Sequence, residues 1–399
     1  MSEIASSRGI DTTAVREMNS STIAALLREQ GPMTRAELVR RSGLARPTVM
    51  AIVSSLLSIG AADEGGIQPA SGLGGRPGSL LRFNPSSASV AACRVRLEGI
   101  EVTLADGYGT PIGFSRAAVS HEPSELFPAI AAEIQTLHAS TPEAGPLRAA
   151  GLLIPGLVDR RTGSCIEFAP FGWTYLPARA LLEDALGVPV TVLNPAAAAA
   201  LGEVTRGRGR GHDDVIVIFL DKGIGAGVVT GGRLLQGAFG AVGELGHCAM
   251  GHSDGLCACG RRGCLETVAS GRVIQRQAGT ILGQRAATTM SLAKLEGLNN
   301  PEIDAMLSAA AHQLGIAASW LVNMFNPSVV LLGGTDFAVD AKRFLRDFQG
   351  TLEAHSLSSG HHAIQVQFAA TQSDVWGATA AAMELLPTQL RPSKLYAIP

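Results

Sequence analysis

Charge is scarce in this chain of 399 residues: 17% of positions are charged, and they nearly cancel to a net charge of -2. No whole-molecule field announces a nucleic-acid binder. The first residues, MSEIASSRGIDTTAVREMNS, lack the apolar core of a secretory signal, and no run approaches the ~18 apolar residues of a membrane span. A soluble cytoplasmic protein, with no membrane partner, is the expectation. Six cysteines, four of them crowded into one stretch, do not make the framework of a secreted disulfide protein. What the chain does have is apolar mass: 46% hydrophobic residues exclude disorder, and with this length they point to two or three domains.

Residues 1–85 carry nine arginines against seven acidic residues, whereas the rest of the chain is net acidic. Three helical patterns lie between residues 20 and 58. The second opens on Thr34 with Glu37 three residues later, a capping box that satisfies two amides, and Gly43 ends it. The third, RPTVMAIVSSLLSIG, has Pro47 in its first turn, where a missing N–H costs nothing. Val49, Ile52, Val53, Leu56 and Leu57 recur at helical spacing and predict a buried face. Thr48, Ala51, Ser54 and Ser55 form the opposite face, small and polar enough to enter a DNA groove. AADEGGIQPASGLGGRPGSLLRFNP then predicts two strands around a glycine-rich tip that presents Arg76, an arginine suited to a minor groove. These elements predict a winged helix-turn-helix over residues 15–85, with Arg35, Arg46, Pro47, Thr48, Ser54 and Arg76 as its DNA-binding candidates. The alternative is a small helical domain that only packs against its neighbour.

From about Ser89 the pattern becomes strands followed by helices, done twice. This predicts two similar α/β lobes over residues 88–200 and 201–385 with a cleft between them, the last helix returning to the first lobe.

The cysteine-rich stretch is GELGHCAMGHSDGLCACGRRGCLE, residues 243–266. His247, Cys257, Cys259 and Cys264 are a Cys3His set, the composition of a closed, structural zinc shell with no position left for water. One Zn2+ per chain is expected; four free groups on a loop is the bland alternative. Cys248 reads as a small buried residue, His252 as a solvated one, and Cys93 and Cys165 as core. RGRGRG at 206–211 lacks the aromatic interleaving of a single-strand binder and reads as a solvated loop.

GIGAGVVTGGRLLQGAFGAVGELGH, CACGRRGCLE and LVNMFNPSVVLLGG together resemble the ROK family of sugar kinases and sugar-responsive repressors, and RPTV and GGRPG resemble its repressor branch. The resemblance implies an α/β protein: an N-terminal winged helix-turn-helix and a two-lobed actin-like, ribonuclease H-like ATPase fold. It implies that Glu244 and Glu266 accept hydrogen bonds from sugar hydroxyls, that His247 binds zinc through one nitrogen and offers the other to the sugar, and that Gly156 and Asn194 line the ligand site.

Three departures bear on activity. Family kinases follow the asparagine with a catalytic aspartate, whereas this chain has Asn194-Pro195. Their Asp-x-Gly-Gly-Thr phosphate turn is replaced by CRVRLEGIEV, with Arg94, Arg96 and Glu98, while GIGAG at 223–227 remains as a tight hairpin. Phe171, before Gly172 and Trp173, stands where sugar-binding members have an asparagine. The implied protein is therefore not an enzyme but a bacterial regulator of carbohydrate metabolism. It would bind operator DNA in the nucleoid as a homodimer or homotetramer and respond to a sugar or sugar phosphate. The rivals are an ATP-dependent sugar kinase and a regulator whose sensor domain binds a partner protein.

Overall fold

The computed structural model describes residues 12–68, 78–251, 253–283, 289–334, 337, 340–357 and 364–392. Helix α1 (Thr12–Gln30) begins well before the pattern that starts at Ser20, because residues 15–20 are exposed or half-buried and carry no apolar periodicity to read. Strand β1 (Met33–Thr34) leads into α2 (Arg35–Ser42), whose capping box forms as the sequence predicts: the Thr34 amide donates to Glu37 at 2.7 Å and the Glu37 amide to the Thr34 hydroxyl at 3.3 Å. Helix α3 (Arg46–Ser58) buries Val49, Ile52, Val53 and Leu56, and leaves Leu57 half-buried. Strands β2 (Ala62–Gln68) and β3 (Gly78–Phe83) pair antiparallel in a sheet of order β1-β3-β2, the frame of a wing. The tip with Arg76 lies outside the described residues.

The first lobe holds β4 (Ser89–Arg96), β5 (Gly99–Asp106), β6 (Pro111–Ala117), α4 (Pro123–Ala139) and β7 (Leu147–Leu153). A small antiparallel sheet follows, β8 (Leu157–Asp159), β9 (Ser164–Phe168) and β10 (Trp173–Leu176), then α5 (Ala178–Leu186), β11 (Val190–Leu193) and α6 (Pro195–Thr205). Its main sheet runs β11-β7-β4-β5-β6, parallel from β11 to β4 and antiparallel beyond.

The second lobe repeats the plan with β12 (Val215–Leu220), β13 (Ile224–Thr230), β14 (Arg233–Leu234), α7 (Glu266–Ala269), α8 (Gly271–Leu282), α9 (Leu292–Glu296), α10 (Pro301–Phe325), β15 (Val329–Gly333), α11 (Lys342–His355) and β16 (Gln365–Phe368), in the order β14-β13-β12-β15-β16. Every residue of β12 and β15 is buried, which is why these central strands read as unbroken apolar runs. Helix α10 qualifies the statement that nothing approaches a membrane span: it is long and apolar enough by composition, but 56% of that window is buried in the core of this lobe.

Helix α12 (Ser373–Met383) leaves the second lobe and packs on α6, β7 and β4 of the first. The two helices meet backbone to backbone: a methyl on Gly202 would fall 1.7 Å from the Ser373 carbonyl oxygen, and one on Gly377 1.8 Å from that of Ala198. Beyond this crossing the chain enters the winged helix. Ala382, Met383, Leu386 and Leu390 share one buried cluster with Ile23, Leu27, Leu56 and Phe83. The Arg28 guanidinium donates to the Leu390 carbonyl and lies 4.1 Å from the Phe83 ring centre.

Candidate functional site

The cysteine-rich loop is held by its own backbone. Met250 donates to Gly263 at 2.7 Å, Cys257 to Arg261 at 2.8 Å and Leu265 to Cys248 at 2.9 Å, so the two halves of the loop run back to back. This brings His247, Cys257, Cys259 and Cys264 together, with their donor atoms all within 4.8 Å of one another. The Cys257 sulfur lies 3.5 Å from His247 Nδ1 and the Cys259 sulfur 3.6 Å from that of Cys264. A tetrahedron of Zn–S bonds near ~2.3 Å has edges of roughly 3.8 Å, so the four groups fit around one metal ion. Cys248 points elsewhere, half-buried, its sulfur 4.0 Å from the Glu244 carbonyl oxygen. Cys93 and Cys165 lie in the core of the first lobe; His252 is outside the described residues.

The carboxylates flank this loop on its inner side. With Nδ1 turned to the thiols, His247 presents Nε2 to Glu244 Oε2 at 3.9 Å. Burial raises the Glu244 carboxyl above its ordinary range; His247 opposes the shift and Glu266 adds to it. Glu266, the first residue of α7, accepts the Ile224 amide at 2.9 Å and so fixes the start of β13. The GIGAG segment is thus a hairpin clamped by Glu266.

Across the lobe boundary, a methyl on Gly225 would sit 3.0 Å from Ala196 Cβ in the first turn of α6. Asn194 caps that helix, its Oδ1 accepting the Ala197 amide at 2.8 Å, and Pro195 follows in the first turn. The Ile154 amide donates to Leu193 at 3.1 Å, which sets the loop through Gly156 beside Asn194. Gly156 has φ of +91°, and a side chain there would strike the Glu167 carbonyl oxygen at 2.4 Å. Gly156, Asn194, Glu244, His247 and Glu266 therefore follow one another along the line where the lobes meet. The capping role of Asn194 was legible in Asn-Pro-Ala but masked by its reading as a ligand residue.

At the start of the first lobe Arg94 is buried. It donates to Glu101 at 2.9 Å and to Asp374 at 2.6 Å, and Glu101 also pairs with Arg96 at 3.1 Å and Arg116 at 2.8 Å. Neither Glu101 nor Asp374 is signalled by a motif; only the fold brings them to Arg94. Phe171 stacks on His121 at 3.9 Å and meets Phe168 and Trp173 edge-on at 4.9 Å each, so it packs into an aromatic cluster rather than standing alone.

RGRGRG is the exposed loop its composition suggests, with Arg206, Arg208 and Arg210 all exposed, but two of its arginines are also tethered. Arg206 donates to Gly109 at 2.9 Å and lies over Trp376, and Arg208 donates to Phe368 at 2.6 Å while its amide bonds Glu203 at 2.6 Å. Its arginines find carbonyls on both lobes, and the run acts as a clasp. On the winged helix, Arg46, Pro47 and Ser54 are exposed and Thr48 half-exposed along α3. Arg35 is instead tied to Glu64 on β2, which also accepts the Ser79 hydroxyl at 3.1 Å. Met50, 37% exposed, shares the α3 surface and escaped the small-and-polar reading.

A winged helix joined to a two-lobed kinase-like body with a Cys3His loop at the lobe boundary defines the class of this protein. The family model of ROK matches residues 100–383, and the chain belongs to the ROK family. It is 28% identical to the xylose repressor of Bacillus subtilis over 325 residues, 81% of this chain and 83% of that protein. It is 36% identical to a glucokinase of Streptomyces coelicolor over 207 residues, 47% of this chain and 64% of that protein. A solved ROK family transcriptional regulator, a homologue of the E. coli MLC protein, matches with a TM-score of 0.78 at 24% identity over 94% of this chain and 98% of its own. A ROK glucokinase from Streptomyces griseus in complex with glucose and AMPPNP matches with 0.64 at 25% identity over 74% of this chain and 100% of its own.

Proposed function

We propose that this chain is a sugar-responsive DNA-binding transcriptional regulator, a repressor of carbohydrate metabolism whose kinase-like body senses a ligand and does not phosphorylate it. The observation that carries the reading is the pairing of a winged helix with Pro195 at the start of α6. Where family kinases hold a general base, proline has no carboxylate, and the Asn194 oxygen beside it is taken by the helix cap. Where phosphate would approach a glycine turn, this chain buries Arg94 between two carboxylates. The agreement over nearly the whole chain with a repressor and a regulator supports the same reading.

Glu244, Glu266, the free nitrogen of His247, the Asn194 amide and the loop at Gly156 would receive the hydroxyls of a sugar or sugar phosphate. His247, Cys257, Cys259 and Cys264 would hold one Zn2+ per chain, which supplies no chemistry beyond fixing the loop that aims Glu244 and Glu266. The signal would leave through α6, capped by Asn194 at the ligand site and locked against α12, whose far end lies in the winged-helix core. A ligand that binds one lobe arrangement better than the other would shift the DNA-binding domains of a dimer or tetramer on a two-fold operator. Arg46, Pro47, Thr48 and Ser54 would meet the major groove, and Arg76 the minor groove.

The test is binding of the full chain to DNA from its own upstream region, repeated with a panel of sugars and sugar phosphates. Tight binding that one class of sugar weakens by about 5-fold or more is expected; failure to bind that DNA under any condition sinks the regulator. The glucokinase relatives favour a second reading, a sugar kinase. It replaces the first if ATP is consumed with any sugar of the panel and the turnover vanishes in Glu266→Gln.

A further inference from the structure

Among the described residues, four arginines have buried side-chain nitrogens without a hydrogen-bond partner: Arg28, Arg94, Arg160 and Arg179. Three find partners through other atoms of the side chain. Arg28 has a carbonyl and an aromatic face, Arg94 has two carboxylates, and Arg179 donates to the carbonyls of Arg161 at 3.1 Å and Arg160 at 2.7 Å. Arg160 differs. Among the described residues its guanidinium has no hydrogen bond, no ion pair and no ring contact, yet Nε and NH1 are both shielded from solvent. Arg160 is half-buried, and shielding two nitrogens of a cation without a counter-charge is costly, so proteins retain such a group where something else supplies the charge.

The surroundings repeat the deficit. Arg160 opens the turn between β8 and β9, which the Gly163 amide closes on Asp159 at 2.7 Å. The nearest carboxylate in sequence, Asp159, is engaged by the Arg161 amide at 2.9 Å and the Thr162 hydroxyl at 3.0 Å. The turn rests on the amino end of α5, where Arg179 donates its amide to Gly163 at 3.0 Å and no side chain caps the helix. Arg179 Nε, also unpartnered, lies against Gly163. Burial, and then the charge of Arg179, lower the Arg160 guanidinium to about 10. By contrast, the arginines along the ~290 Å³ cavity at β5 and β6 are matched by Glu98 and Glu101 and leave no charge unmet.

We propose that Arg160 and Arg179, over the amino end of α5, form a binding site for a phosphate or carboxylate group. The position favours an effector: β8 starts next to Gly156, and the second-lobe loop reaches it, since a methyl on Gly240 would fall 2.1 Å from the Val158 carbonyl oxygen. From Gly156 to Arg160 is four residues, at most about 13 Å of extended strand, which one sugar with an anionic substituent and an arginine side chain can span. The effector is accordingly a phosphorylated or acidic sugar, an extension that rests on the sugar-responsive reading, whereas the anion site does not.

The experiment titrates inorganic phosphate, a neutral hexose, its 6-phosphate and the corresponding uronic acid into the full-length protein and into Arg160→Met, which keeps the aliphatic stem. Inorganic phosphate and one of the anionic sugars should bind the wild type and bind the variant at least ~10-fold more weakly, the loss of a charge-assisted contact. The ligand-free variant should melt at the same temperature or higher, because an unpaired cation has been removed. A lower melting temperature would make Arg160 a structural residue and overturn the proposal. Equal binding of phosphate and of the sugar phosphate to both proteins would also overturn it, and leaves the sugar-responsive reading standing if the neutral hexose binds. Arg160-dependent binding of inorganic phosphate with no sugar bound would support the anion site and remove the sugar from the function.

Discussion

Arg94 and Asp374 face each other at 2.6 Å with side chains 8% and 1% exposed. The pair joins the first strand of the first lobe to the amino end of α12, the helix that ends in the winged-helix core. Glu101 completes it from β5 at 2.9 Å. Burial raises the Asp374 carboxyl above its ordinary range and Arg94 opposes the shift, so the carboxylate depends on that one cation.

Removing the cation alone should therefore be severe. Arg94→Met is expected to lower the stability of the chain by about 3–5 kcal/mol, the cost of a buried charge left alone. Adding Asp374→Leu should restore a large part of it. Chemical denaturation of both variants measures the difference; a wild-type midpoint for Arg94→Met would remove the pair from the stability of the fold.

The crossing of α6 and α12 is as sensitive to volume as the pair is to charge. In Gly377→Ala the added methyl would meet the Ala198 carbonyl at 1.8 Å, and the helices must part. We expect a loss of about 1–3 kcal/mol in stability. Operator affinity should persist while its response to sugar shrinks, as read by fluorescence anisotropy with and without effector. An intact response would show that the signal takes another route.

Elemental analysis should find one zinc per chain, and Cys259→Ser or a strong chelator should remove it. The second lobe then loses the constraint that holds Glu244 and Glu266, so protection from amide hydrogen exchange should fall around residues 243–266 before it falls in the winged helix. Loss of protection in both domains at once would contradict a local clasp.

Glu64 pairs with Arg35 and adds a negative charge on strand β2 of the wing. Glu64→Gln should free the arginine, tighten operator binding and steepen its salt dependence by about one phosphate contact. Arg46→Ala should do the reverse. If Glu64→Gln leaves both the affinity and the salt slope unchanged, Arg35 does not face the DNA.

Much of this was legible in the residues. The capping box at Thr34 and Glu37, Pro47 in the first turn of α3 and the apolar period from Val49 to Leu56 are local signals, and local hydrogen bonding and helical spacing read them the same way in the sequence and in the fold. The His247, Cys257, Cys259 and Cys264 set was legible too, because a glycine-rich loop closes over a short stretch of chain and the residue types permit little else. RGRGRG is exposed as its composition suggests, but the tethers of Arg206 and Arg208 to the carbonyls of Gly109 and Phe368 were not legible, because those partners lie about a hundred or more residues away and no window of sequence contains both ends of such a bond.

The order of residues thus settled what depends on neighbours: the winged helix, the lobes as runs of strand and helix, the cysteine cluster, and the proline that opens α6. Tertiary structure alone decided which charges meet. Arg94 has Asp374 and Glu101, Arg35 has Glu64, and the Arg160 guanidinium has no partner among the described residues, because whether a charge is compensated is fixed by distance in space after the chain has folded, and distance along the chain does not encode it.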